Sequence, residues 1–172
     1  MKFHFYRADS DYCDFLRIKD PCVPYTMDKK STRPFVGIVF SLNGYEYYAP
    51  LTSPKPKHLD MKNQIDFLKI DGGVLGAINL NNMIPIHSSS LQLIDIKITA
   101  SDSEDEVRYK NLLINQLSWC NQVHNSLNII KKATKLYSAI TKGEANAKLK
   151  SRCCNFLLDE EQYLIYCQTH NL

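Results

Sequence analysis

The dipeptide Asn43-Gly44 constrains this chain more than any other feature. It lies between two short runs of β-forming residues, Phe35-Val36-Gly37-Ile38-Val39-Phe40 and Tyr45-Glu46-Tyr47-Tyr48-Ala49-Pro50-Leu51. A two-residue type I′ turn needs positive φ at both central positions, which Asn and Gly tolerate best, so the two runs are predicted to pair as a hairpin. Tyr47 and Tyr48 then point to opposite faces, and packing rather than base stacking is the expected role of Tyr45, Tyr47 and Tyr48. A second hairpin is predicted from residues 64–70, the turn Asp71-Gly72-Gly73 and residues 74–80. Further short strands are expected at 83–86 and 91–98. Many short strands joined by close turns fit a small twisted barrel or a strongly coiled sheet.

Beyond residue 102 the period changes to that of a helix. Ser103 with Glu106 three residues on fits a capping box. Val107, Ile114, Leu117, Val123 and Leu127 fall close to helical spacing, Leu136 and Ile140 continue it, and Gly143 is the expected stop. The segment 121–128 is where the helix is expected to break in two. Trp119 is assigned to the helix core. An N-terminal helix is predicted over 11–19, with Tyr12, Phe15, Leu16 and Lys19 on one side, and a last helix is predicted after Asp159, whose side chain would cap it. The whole is read as one α+β domain over 1–172, without repeats.

Of the 172 residues, 44% are hydrophobic and 23% charged, which excludes a disordered or fibrous chain. No run approaches the roughly 18 apolar residues of a membrane span, and the N-terminus lacks the basic-then-apolar pattern of a secretory signal. A cytoplasmic protein without membrane association is therefore expected. The net charge is only +3, but residues 131–152 carry seven cations and one acid, Glu144. A basic run of this kind is an electrostatic footprint for nucleic acid, although a solvated helix face has the same composition. The six cysteines include no Cys-x-x-Cys pair and no histidines at ligand spacing, so reduced thiols and no structural zinc are expected.

Several catalytic signatures are absent: the phosphate-binding Gly-x-x-x-x-Gly-Lys loop, the Gly-x-Ser-x-Gly elbow and His-Glu-x-x-His. What stands out is the segment after the first hairpin, Thr52-Ser53-Pro54-Lys55-Pro56-Lys57-His58. Two hydroxyls, two lysines and an imidazole crowd together while two prolines restrict the backbone. Such a set at a strand end is suited to gripping a phosphate, and it also has the composition of an ordinary basic surface turn.

The order of motifs resembles the ToxN/AbiQ family, toxins of type III toxin–antitoxin and phage abortive-infection systems. The matching stretches are Arg33-Pro34-Phe35-Val36-Gly37-Ile38-Val39, Tyr48-Ala49-Pro50-Leu51-Thr52-Ser53-Pro54-Lys55, Gly76-Ala77-Ile78-Asn79-Leu80, Met83-Ile84-Pro85-Ile86 and Cys154-Asn155-Phe156-Leu157-Leu158. The resemblance implies a twisted, barrel-like antiparallel sheet related to the Kid/MazF toxins, elaborated with helices. It also implies an endoribonuclease that needs no metal and no cofactor. Its implied partners are a repetitive pseudoknot RNA antitoxin, which it processes and binds in a closed toxin–RNA assembly, and cellular and phage RNA as substrate. By motif position Thr52, Ser53 and Lys55 carry over as catalytic residues, and Arg33 stands where other members place Lys or Arg. A tyrosine that some members carry upstream has no clean match; Tyr25, Lys29 and Lys30 are nearest. These three, with Lys57, His58, Lys131, Lys132 and Lys135, are the predicted RNA contacts.

RNA supplies its own nucleophile, the 2′-OH, so the protein needs to provide only alignment, proton transfer and charge stabilisation. Lys55 and Arg33 suit the charge role. Ser53 is too weak an acid to serve as base and is assigned to orienting the phosphate or relaying a proton. The general base stays open between Lys55, which would need neighbouring cations to depress its pKa, and His58, whose intrinsic pKa fits but which also reads as an exposed loop histidine. Two other functions fit the same composition: a non-catalytic RNA- or DNA-binding module, and a MazF-like toxin with a protein antitoxin.

Overall fold

The structure is a computed structural model, and it describes residues 2–25 and 36–172. Its elements run β1 (Phe5–Ala8), α1 (Ser10–Arg17), β2 (Gly37–Leu42), β3 (Tyr45–Thr52), α2 (Lys57–Asp60), β4 (Phe67–Lys69), β5 (Ala77–Asn79), β6 (Ile84–Pro85), β7 (Leu91–Leu93), α3 (Glu104–Cys120), α4 (Val123–Thr141), α5 (Ala147–Lys150) and α6 (Phe156–Thr169). All strand pairings are antiparallel, in the order β4-β5-β3-β2-β1-β7, with β6 also against β3.

Asn43 (φ 51°) and Gly44 (φ 84°) make the predicted turn, with Leu42 opposite Tyr45. The second hairpin also forms, as β4 against β5, but its strands have only three residues each. Among the described residues the barrel-like closure implied by the family resemblance is not seen: β4 and β7 end the sheet and do not pair with each other. Closure needs tilted strands long enough to meet in register, and two edge strands of three residues cannot supply that ladder.

Both faces of β3 are covered. Tyr47 and Tyr48 point in opposite directions, yet both are buried, so neither is open to a base. The Tyr47 ring packs edge-on against Tyr137 of α4 and Phe156 of α6, and its hydroxyl donates to Glu160 at 2.7 Å. On the other face Tyr48 lies over Gly37, where an added Cβ would come within 2.5 Å of the ring. That contact explains the glycine in an otherwise bulky strand. Phe156 is fully buried between these layers, and Phe156→Ala is expected to cost about 3–5 kcal/mol, read as a lowered Tm.

Ser103 and Glu106 close the capping box of α3, with Ser103 N–H donating to Glu106 Oε2 at 2.8 Å and Glu106 N–H to Ser103 Oγ at 3.3 Å. The predicted break falls at Asn121–Gln122, where Gln122 is extended. The Asn121 side chain holds the N-terminal segment from both sides, accepting from Phe3 N–H at 2.7 Å and donating to Phe3 O at 3.1 Å. The break resets the helical phase. Leu113, Gln116 and Cys120 face the interior from α3, and Ile129, Ala133 and Leu136 from α4. Ile114, Val123 and Leu127, which one continuous period would bury, are exposed, and Trp119 is half-buried. The last helix starts earlier than predicted: Asn155 caps it by accepting from Leu158 N–H, and Asp159 is enclosed in its first turn. The strand β1, the one-turn α2 and the short α5 were not predicted. No helix among the described residues is long and apolar enough to cross a membrane.

Candidate active site

The site grows from the end of β3. Thr52 is the last residue of that strand and pairs with Ala77 of β5. Just before β5, Gly76 adopts φ +98°, and a Cβ there would lie 2.1 Å from the Thr52 carbonyl oxygen, 3.1 Å from Ser53 C and 3.2 Å from Pro54 N. The backbone of one strand thus buttresses the turn Thr52-Ser53-Pro54 of the other, at a distance only glycine permits. Gly76→Ala is expected to lower stability by about 1–3 kcal/mol, from the disfavoured φ and the clash. If this turn carries the activity that the family resemblance implies, its displacement is also expected to reduce that activity by roughly 10²-fold. A melt and a cleavage assay on the same preparation check both.

Thr52 is half-buried, and Ser53, Lys55 and Lys57 are exposed. Thr52 and Ser53 share a small cleft of about 40 Å³ with Val36, Leu51 and one face of α3, formed by Tyr109, Leu112, Leu113 and Gln116. Gln116 is pinned there by donation to Leu75 O at 2.6 Å. On the other side of the turn, Lys55 lines an open groove of about 350 Å³ with Pro54, Pro56, Leu59, Gly73 and Val74. The sequence places hydroxyls and ammonium together; the fold adds a helix face to one and an apolar shelf to the other. The spacing of 109, 112, 113 and 116 marks a helix face, but no local signal says that it meets the β3 turn.

His58 is not the exposed histidine the loop composition predicts. It lies on α2, 2% exposed, with its ring 5.7 Å from that of Phe67 and Nδ1 without a partner among the described residues. The chain folds over it closely: a Cβ on Gly73 would meet the His58 carbonyl at 2.5 Å. Burial, then Lys55, Lys57 and Lys69, push its pKa below the usual histidine value. Enclosed, and with its charged form disfavoured, it is poorly placed to hold a phosphate as a cation.

The basic run is also divided by the fold. Lys131 and Lys135 are exposed on α4, but Lys132 is half-buried and donates to Gln64 O at 2.9 Å. Burial and the nearby Lys135 lower its pKa. Arg152 grips the buried Asp66, with Nη2 3.0 Å from Oδ1, and also donates to Gln64 Oε1 at 2.7 Å. Two cations of the run thus tie down the segment before β4. Tyr25 is 64% exposed, with the Arg17 guanidinium 3.9 Å from its ring centre. Arg33, Lys29 and Lys30 lie outside the described residues.

A family profile described as "Toxin ToxN, type III toxin-antitoxin system" matches residues 4–164. The chain is 32% identical over 166 residues to the Endoribonuclease ToxN of Bacillus thuringiensis subsp. kurstaki, covering 94% of this chain and 81% of that protein. It is 34% identical to the Endoribonuclease ToxN of Pectobacterium atrosepticum over 167 residues, covering 92% and 91%. Among solved structures, a chain from a study of a processed non-coding RNA that regulates a bacterial antiviral system superposes with a TM-score of 0.77 at 32% identity, covering 95% of this chain and 98% of that one. A second, from a study of selective toxin inhibition by a non-coding RNA pseudoknot, gives 0.74 at 29%, covering 96% and 98%. The lactococcal anti-phage endoribonuclease AbiQ shares the fold, with a TM-score of 0.74 at 19% identity over 98% of this chain and 99% of that one. Over nearly its whole length, then, this chain belongs to the ToxN toxin family of type III toxin–antitoxin systems, a family of endoribonucleases.

Proposed function

We propose that this chain is an endoribonuclease toxin that cuts RNA by attack of a 2′-OH on the adjacent phosphodiester, leaving a 2′,3′-cyclic phosphate and a 5′-OH. One observation carries this reading: Ser53 and Lys55 project into solvent from a turn whose backbone is buttressed by Gly76. A rigid turn with exposed donors can hold a phosphate without reorganising as charge builds on it. Lys55 stabilises that charge, Ser53 and Thr52 align the phosphate, and Arg33 supplies a second cation. Among the described residues no acidic side chain lines the Thr52–Ser53 cleft or the Lys55 groove, so none of them offers a metal a carboxylate there. The general base is drawn from Lys55 or the substrate's own surroundings, because His58 is enclosed.

The partner is an RNA antitoxin of repeated pseudoknot units, which the toxin cuts from a precursor and holds in a closed toxin–RNA assembly. Released toxin acts on cellular and phage RNA in the cytoplasm. The solved relatives studied with a regulatory non-coding RNA and an inhibitory pseudoknot support this reading. The test is to purify the native complex and sequence what accompanies the chain. A repetitive RNA, removed by nuclease and not by protease, is the expected result; a co-purifying peptide in its place would point to a protein antitoxin.

The α4 cations make a second test. Lys131→Ala with Lys135→Ala is expected to weaken antitoxin binding and to reduce the log–log salt slope by about 1.5, since each lost phosphate contact removes roughly 0.7–0.9 from it. An unchanged slope returns both lysines to the solvated surface. Lys132→Ala instead removes the bond to Gln64 and is expected to act on stability.

A further inference from the structure

Asp20, after α1, and Cys154 and Asp159, on either side of the α6 cap, come from chain positions far apart in sequence and converge in the interior. They are 5%, 1% and 0% exposed, and one potential ligand atom from each lies within 4.8 Å of the others. They are the one such group of acidic, thiol or imidazole side chains among the described residues. Neither oxygen of Asp159 has a hydrogen-bond partner there. Asp20 is the opposite case: its oxygens accept from Cys22 N–H at 2.9 Å and from Asn155 N–H at 2.6 Å, which fixes the carboxylate with lone pairs to spare. The Cys154 backbone is likewise held, by Asn81 O at 2.9 Å.

We propose that Asp20, Cys154 and Asp159 form a buried structural site for one divalent transition-metal cation, best fitted by Zn²⁺. A fully enclosed carboxylate with no partner is costly, and a second carboxylate beside it raises the cost. A cation among the three groups neutralises both acids and takes the thiolate as a third ligand. The donor set selects the metal. Mg²⁺ and Ca²⁺ take oxygen ligands alone, whereas Zn²⁺ binds thiolate and carboxylate together in a tetrahedron. Bonds of about 2.0–2.3 Å place tetrahedral ligand atoms roughly 3.5 Å apart, within reach of small side-chain rotations. The fourth position falls to water or to Cys22, whose thiol lies beside Asp20. None of these residues lines the cleft or groove of the RNA site, so the ion staples the end of α1 to the start of α6 rather than taking part in cleavage. Without metal, burial and then Asp20 and Glu160 push Asp159 up to about 8, and a proton is the competing occupant. Binding therefore displaces protons and strengthens as pH rises.

The test uses the full chain carrying Ser53→Ala, so that it can be produced without arresting growth, stripped by chelator and titrated with Co²⁺. Expected are one equivalent bound, a near-ultraviolet thiolate-to-cobalt band, and its loss when Zn²⁺ is added. X-ray absorption of the zinc form should show one or two sulfurs at about 2.3 Å with oxygens at about 2.0 Å. Cys154→Ser should remove the band unless Cys22 is the fourth ligand, in which case Cys154→Ser with Cys22→Ser removes it. Asp159→Asn, nearly isosteric with the protonated acid and so expected to fold, should weaken Co²⁺ binding by more than about a hundredfold. Absence of saturable binding at one equivalent, a band that survives the double serine variant, or unchanged affinity in Asp159→Asn overturns the site.

Discussion

Ser53→Ala and Lys55→Ala are each expected to slow RNA cleavage by at least about 10²-fold, the scale on which a single preorganised donor stabilises a transition state, and to end growth arrest on expression. Both side chains are exposed, so neither change opens a cavity, and surface substitutions of this kind shift stability by only about 0.5 kcal/mol. Loss of activity with an unchanged melt is therefore the signature of a chemical role. Lys55→Arg keeps the charge but replaces a compact ammonium by a planar fork, so partial activity is expected. Thr52 behaves differently. It is half-buried, belongs to the β3–β5 ladder, and its carbonyl is the atom closest to the space above Gly76. Thr52→Val keeps the shape and removes the hydroxyl, so any cleavage defect it shows belongs to that oxygen. Wild-type rates from either soluble Ser53→Ala or Lys55→Ala would move the chemistry away from this turn.

What could be read in the sequence was local. Asn43-Gly44 specifies its turn through two φ angles, and the Ser103–Glu106 box through two hydrogen bonds within one helical turn, so both formed where predicted. The strand β1 was missed because its four residues gain ladder partners only from β2 and β7, more than 30 residues away along the chain. The helix phase was wrong across Asn121–Gln122 because Asn121 is committed to the backbone of Phe3, a contact that no helical periodicity encodes. The same limit governs the site. Thr52, Ser53 and Lys55 could be singled out as a crowded, proline-stiffened run, but Gly76 could not be linked to them, since its effect is a close approach between two strands. Charge misled in one direction. Lys132 and Arg152 count as free cations in the sequence, but the fold turns both toward Gln64 and Asp66. His58 misled likewise: a histidine in a basic loop reads as exposed until Phe67 and Gly73 close over it.

A single 2′-deoxy sugar immediately 5′ of the scissile phosphate is expected to leave the substrate bound but uncut, even at high enzyme concentration. On the proposed mechanism Thr52, Ser53 and Lys55 meet the phosphate. Thr52 and Ser53 are hydroxyls held by the turn, and the imidazole of His58 is buried and does not reach them as a partner, so neither hydroxyl is paired with an imidazole that could make it a nucleophile. On that mechanism the attacking oxygen comes from the RNA, so removing it removes the reaction while leaving the phosphate contacts in place. The 2′-OH also helps proteins distinguish RNA from DNA, so binding of the deoxy analogue is measured separately, and only retained affinity with lost cleavage isolates the chemical step. Intact analogue after long incubation, together with a 2′,3′-cyclic phosphate and a 5′-OH on the all-ribose products, is the expected pair of results. Cleavage of the analogue means that a water or a protein group attacks instead. Loss of cleavage in EDTA that Mg²⁺ restores would place a metal at the phosphate and return the Thr52–Lys55 turn to a binding role.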